Sequence, residues 1–79
     1  MKRNVKIYST PTCQYCKLAK KFLNDNNVQY EDVNVAADKA AREEMFKKSS
    51  QLSVPQIEID GELIIGFDKI SLKEKLGLE

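Results

Sequence analysis

Cys13-Gln14-Tyr15-Cys16 holds both cysteines of a 79-residue chain that contains no histidine. Two thiols two residues apart suit three tasks: redox exchange, half of a metal site, or burial as ordinary small residues. The flanks narrow the choice. Upstream, Val5-Lys6-Ile7-Tyr8 reads as a short strand, and downstream Leu18-Ala19 and Phe22-Leu23 recur at helical spacing. The cysteine pair therefore sits at a strand-to-helix turn, with Pro11-Thr12 leading in.

That placement treats the two thiols differently. Cys13 falls at or just before the first helical residue, where unpaired N–H groups and the positive end of the helix dipole favour thiolate over thiol. Such settings lower a cysteine from about 8.5 by roughly one to five units. Cys16, one turn on, is carried toward the interior. The expected roles follow: Cys13 is the nucleophile, and Cys16 resolves a mixed disulfide by attacking it, leaving a 13–16 disulfide. Residues 1–24 carry Lys2, Arg3, Lys6, Lys17, Lys20 and Lys21 with no acidic side chain, which suits an anion. A closed zinc site needs four Cys or His ligands, and the chain supplies two, so no metal is expected without ligands from outside.

Length and composition bound the rest. Seventy-nine residues make one small domain, 1–79, with its function in a surface site instead of a large buried pocket. Hydrophobic residues at 42% and charged residues at 32% are globular values, and a net charge of +1 argues against a general nucleic-acid binder. No apolar signal core and no run of membrane-spanning length is present, so a cytoplasmic protein without membrane attachment is expected. In a reducing compartment a close cysteine pair is more often catalytic or metal-binding than a permanent staple.

Along the chain, a helix over 14–24 packs Leu18, Ala19, Phe22 and Leu23 and leaves Lys17, Lys20, Lys21 and Asn24 wet. The run Asn24-Asp25-Asn26-Asn27 ends it, because asparagine tolerates the left-handed conformation. Residues 28–35 read as a strand, parallel to the first. A second helix over 36–49 has Ala37, Ala41 and Met45 at four-residue steps with Phe46 beside them. Glu43–Lys47 and Glu44–Lys48 add favourable pairs there. After a polar connector and Val54-Pro55, the strand at 56–60 turns at Asp60-Gly61 into an antiparallel partner at 62–65. Asp68 caps a last helix through Leu76, stopped by Gly77, with Phe67 and Leu72 at the positions of a hydrophobic staple.

The order strand, Cys-x-x-Cys helix, strand, helix, Val-Pro, hairpin, Gly-x-Asp, helix resembles the thioredoxin fold in its smallest form and is similar to a glutaredoxin. The resemblance rests on Thr12-Cys13-Gln14-Tyr15-Cys16, Ser53-Val54-Pro55 and Gly66-Phe67-Asp68, and covers almost the whole chain. It implies an α/β fold, βαβαββα, with a four-stranded mixed sheet flanked by three helices. It also implies a cytoplasmic monomer that reduces protein disulfides and glutathione mixed disulfides. Glutathione is the co-substrate, and nothing is bound permanently.

By the same resemblance Pro55 follows a cis bond and lies beside Cys13, and the Val54 backbone pairs with the cysteinyl part of glutathione. The Phe67 and Asp68 N–H groups after Gly66, with the Asp68 carboxylate, hold its γ-glutamyl end. Arg42 meets its glycine carboxylate, and Tyr15 borders the groove. Gln14 replaces the family's usual proline, and Thr10 stands where many relatives have lysine. Pro11 and Gln14 are similar to small glutaredoxin-like redoxins that take electrons from thioredoxin reductase and feed ribonucleotide reductase. The absence of tryptophan sets the chain apart from thioredoxin proper. A competing reading from the family is a carrier in which Cys13 thiolates of two chains and two glutathiones hold a [2Fe–2S] cluster.

Overall fold

A computed structural model describes residues 4–78. Their order is β1 (Val5–Ser9), α1 (Gln14–Asp25), β2 (Glu31–Asn34), α2 (Lys39–Ser49), β3 (Gln56–Ile59), β4 (Glu62–Ile65) and α3 (Lys69–Leu76). The strands form one mixed sheet in the order β2-β1-β3-β4. The first two are parallel, and β3 runs antiparallel to both β1 and β4. This is the thioredoxin-like βαβαββα arrangement that the sequence implied.

The period-2 alternation of the strands sends side chains to opposite faces and so divides the core. Val5, Ile7, Ile57 and Ile59 pack with Ala19, Phe22 and Leu23 of α1 and with Leu72 and Leu76 of α3. On the other face Tyr8 packs with Val35 and with Ala41 and Met45 of α2. The cysteine turn leaves the sheet at the end of β1, one of its two interior strands.

Turn chemistry decides most boundaries. Asp60 and Gly61 both have positive φ, +49° and +89°, as a two-residue hairpin turn demands. Asn27 takes φ +57° just past α1, and Gly77 takes φ +70° at the end of α3. Asp38 and Asp68 cap α2 and α3, their carboxylates accepting the N–H groups of Ala41 and Ser71.

Four expectations need correction. The second strand begins at Glu31, not Val28, because the Val28 N–H returns to the Leu23 carbonyl and its side chain packs on the core from a loop. The second helix begins at Lys39, because Asn34 captures the Ala36 and Ala37 N–H groups in a turn. Ala37 is therefore exposed, outside the packed stripe. Leu18 and Phe46, expected to pack, are each 48% exposed, whereas Cys16 is buried on α1 as expected. Finally, Lys20 is half-buried instead of wet, since it reaches across to Asp32 on β2.

Candidate active site

Cys13 is the N-cap of α1, with φ −84° and ψ 115°, and its Sγ accepts the Cys16 N–H at 3.1 Å. A sulfur thus takes the place of the usual oxygen cap at a helix start free of acidic side chains. Cys13 is partly exposed, whereas Cys16 is fully buried. Burial first, and then the hydrogen bond with Cys13, push the Cys16 thiol up from an ordinary 9.0 to about 11; the Thr10 backbone and Lys20 act the other way.

Across from this sulfur runs the segment before β3. The Val54–Pro55 bond is cis, the form that the resemblance implied, and the Val54 carbonyl oxygen lies 3.8 Å from Cys13 Sγ. Pro55 is buried and Val54 half-buried beside the reactive turn. The fully buried Gln56 holds this segment, its Nε2 donating to the Ser53 carbonyl at 2.8 Å and the Gln51 carbonyl at 3.2 Å. Its Oε1 finds no protein partner. Sequence reasoning passed over Gln56 as a strand residue, although a glutamine directly after a Val-Pro pair was the available signal.

Gly66 joins the third segment to the second by donating its N–H to the Pro55 carbonyl at 2.8 Å. Phe67 is half-buried, its ring edge-on to Phe22 with centroids 6.0 Å apart, and it packs against the cluster that contains Leu72. The Asp68 carboxylate accepts from the Ser71 N–H at 3.2 Å and the Ser71 hydroxyl at 2.8 Å; these bonds hold it below the ordinary carboxylate range. Tyr15, 65% exposed, stands on the first turn of α1. Arg42 is exposed on α2, where it lines a groove of about 260 Å³ with Glu43, Phe46, Lys47 and Leu52. Arg42 thus borders exposed apolar side chains of α2 and the connector that leads to Val54.

One turn past Cys16 on α1 begins a polar chain that the sequence did not reveal. Lys20, one turn further along α1, sets its Nζ 2.7 Å from Asp32 Oδ2, and Asp32 Oδ1 accepts the hydroxyl of buried Ser9 at 2.7 Å. Burial alone would raise the Asp32 carboxyl, but the bonds from Lys20 and Ser9 outweigh it and hold it below its usual value.

Among the described residues no three His, Cys, Asp or Glu side chains gather as a metal site. No helix there is long and apolar enough to cross a membrane.

A capping cysteine with a buried partner, facing a cis Val-Pro segment, is an arrangement that comparison with known proteins places directly. The glutaredoxin family model matches residues 5–64. The chain belongs to the glutaredoxin family. It is 52% identical over 68 residues to a glutaredoxin-like 8.6 kDa protein of Clostridium pasteurianum, covering 86% of this chain and 91% of that one. It is 40% identical over 77 residues to glutaredoxin 3 of Escherichia coli K12, covering 96% and 93%. Among solved structures, a mutant of the thioredoxin-like protein BC3987 superposes with a TM-score of 0.91 at 37% identity, over 96% of this chain and 97% of that one. Membership in the glutaredoxin family makes thiol–disulfide exchange the class of chemistry.

Proposed function

We propose that this glutaredoxin is a cytoplasmic, glutathione-linked dithiol oxidoreductase that reduces protein disulfides and glutathione mixed disulfides. The observation that carries the reading is the contrast between Cys13 Sγ, partly exposed at the start of α1, and Cys16, sealed one turn behind it.

Cys13 attacks one sulfur of the substrate disulfide as a thiolate, and the other sulfur leaves as a thiolate that takes up a proton. Cys16, losing its own proton, attacks Cys13 Sγ, so the second substrate sulfur leaves in turn. Two electrons have then passed from the cysteine pair to the substrate. Two glutathiones, oxidised to glutathione disulfide, restore the thiols.

Glutathione lies with its cysteinyl unit along the Val54 backbone above Pro55, an added strand whose sulfur meets Cys13. Its γ-glutamyl end reaches the Gly66-Phe67-Asp68 segment and its glycine carboxylate turns toward Arg42, with Tyr15 at the rim. The hydrogen bond from Gly66 to Pro55 supports this pose, because it ties two of those segments together.

The test is steady-state reduction of a glutathione mixed disulfide, with glutathione and its reductase or thioredoxin reductase as alternative electron sources. Cys13→Ser should abolish turnover, while Cys16→Ser should retain it on that substrate and lose it on protein disulfides. The opposite pattern overturns the roles. Turnover with thioredoxin reductase alone overturns the glutathione link and makes the chain a dedicated donor, as to ribonucleotide reductase.

A further inference from the structure

The resolving step has an obstacle: Cys16 is buried, and burial is the largest influence keeping its proton in place. Two further influences in the same direction come from Cys13, through its hydrogen bond and its charge. Both change when Cys13 is capped as a mixed disulfide, because its sulfur is then neutral and engaged. What remains to favour the Cys16 thiolate at the moment it must attack is the Thr10 backbone and the ammonium of Lys20.

We propose that Lys20, held by Asp32 and Ser9, is a positioning residue for the resolving step, placing a fixed positive charge one helical turn from Cys16 on the same side of α1. The inference rests on the exchange roles proposed above. Three elements build the device. Lys20 lies one turn past Cys16 on α1, so its stem rises from the same side of the helix. Asp32 enters from β2, whose parallel register sets it opposite Ile7. Ser9, 1% exposed at the end of β1, anchors the far carboxylate oxygen.

A lysine free in solvent would spread its charge over many rotamers. Here the 2.7 Å ion pair and a side chain only 26% exposed confine it. The charged and titratable groups acting on Cys16 are Cys13 and Lys20 of its own helix, with Asp32 behind Lys20. Lys20 acts through its position and moves no proton. It lowers the cost of the thiolate, while the Cys16 proton goes to water and the departing sulfur takes one from water. The bond made is Cys16 Sγ–Cys13 Sγ, and the bond broken joins Cys13 Sγ to the substrate.

Rapid mixing of the reduced full chain with excess dithiobis(nitrobenzoate) separates the two steps. A bimolecular release of coloured thiolate reports attack by Cys13, and a following unimolecular release reports closure by Cys16. In Lys20→Gln the first phase should match the native rate. The second should slow about three- to tenfold at neutral pH, with its pH midpoint displaced upward. Lys20→Arg, which keeps the charge, should restore both. A native second phase in Lys20→Gln, or a Lys20→Arg variant as slow as Lys20→Gln, overturns the proposal. A second phase that survives Cys16→Ser sinks the exchange roles themselves, whereas one lost there and unaffected in Lys20→Gln sinks only the role of Lys20.

Discussion

The carbonyl of Pro55 and the N–H of Gly66 are hydrogen-bonded at 2.8 Å, which fixes the cis-proline segment to the loop that opens α3. Gly66 makes this bond with φ +82°, a left-handed conformation in which a side chain is strained even though open space surrounds the position. Gly66→Ala should therefore destabilise the fold by about 1–2 kcal/mol through its backbone. Because the strain falls between the two segments proposed to hold glutathione, KM for a glutathione mixed disulfide should rise more than kcat falls. Urea unfolding together with steady-state kinetics measures both. An unchanged KM in a destabilised variant would separate the loop from substrate binding.

Cys16 gives the fold an alkaline limit. Its thiol titrates near 11 in the folded chain against an ordinary 9.0, so between those values the folded state holds a proton that the unfolded chain has released. The associated stability is complete below about pH 9 and is lost as pH rises through about 11. Urea midpoints of the native chain and Cys16→Ala, compared over that range, should converge as pH rises. A constant separation would contradict the assignment.

Lys48 joins three elements. Its Nζ lies 2.6 Å from Glu58, 3.0 Å from Glu44 and 3.2 Å from the hydroxyl of fully buried Tyr8. The bond with Glu58, and then those with Glu44 and Tyr8, raise its affinity for a proton against the opposing effect of burial. Lys48→Met should cost about 1–2 kcal/mol in urea unfolding, since it removes partly exposed pairs and leaves the Tyr8 hydroxyl without its donor. The alkylation rate of Cys13 should not change.

On α2 only Ala41 and Met45 are buried, so Met45 supplies most of the apolar contact that seats this helix on the sheet. Met45→Ala should destabilise by about 2–4 kcal/mol. If Arg42 binds glutathione from that helix, the same variant should also weaken glutathione binding, measured by calorimetry at a temperature where it remains folded.

What was legible in the chain was what local chemistry dictates. Asp60-Gly61 must turn, Asp68 must cap, and Cys13 at a strand-to-helix junction must take the capping position. Those three features place the hairpin, the last helix and the reactive turn. What escaped was decided at a distance. Cys16 is buried as its place one turn past Cys13 implied, but Leu18, which shares the helical spacing of the packed residues, is turned out to solvent, and only the position of the sheet beneath decides that. Val28 has the composition of a strand residue, yet its N–H is satisfied by Leu23. The contact between Lys20 and Asp32 depends on the β1–β2 register, which the weak alternation of residues 28–35 does not specify.

One further consequence concerns the sulfur that caps α1. In the exchange proposed here, that atom is in turn a free nucleophile, bonded to substrate and bonded to Cys16, so its capacity to accept the Cys16 amide changes within each catalytic cycle. In that exchange the helix has its sulfur cap at full strength in the dithiol form and a weaker cap in the disulfide. The energy difference between those two conditions feeds directly into the potential of the couple, because any interaction present only in the dithiol form makes the disulfide a stronger oxidant. A piece of ordinary helix architecture thus doubles as a redox tuner.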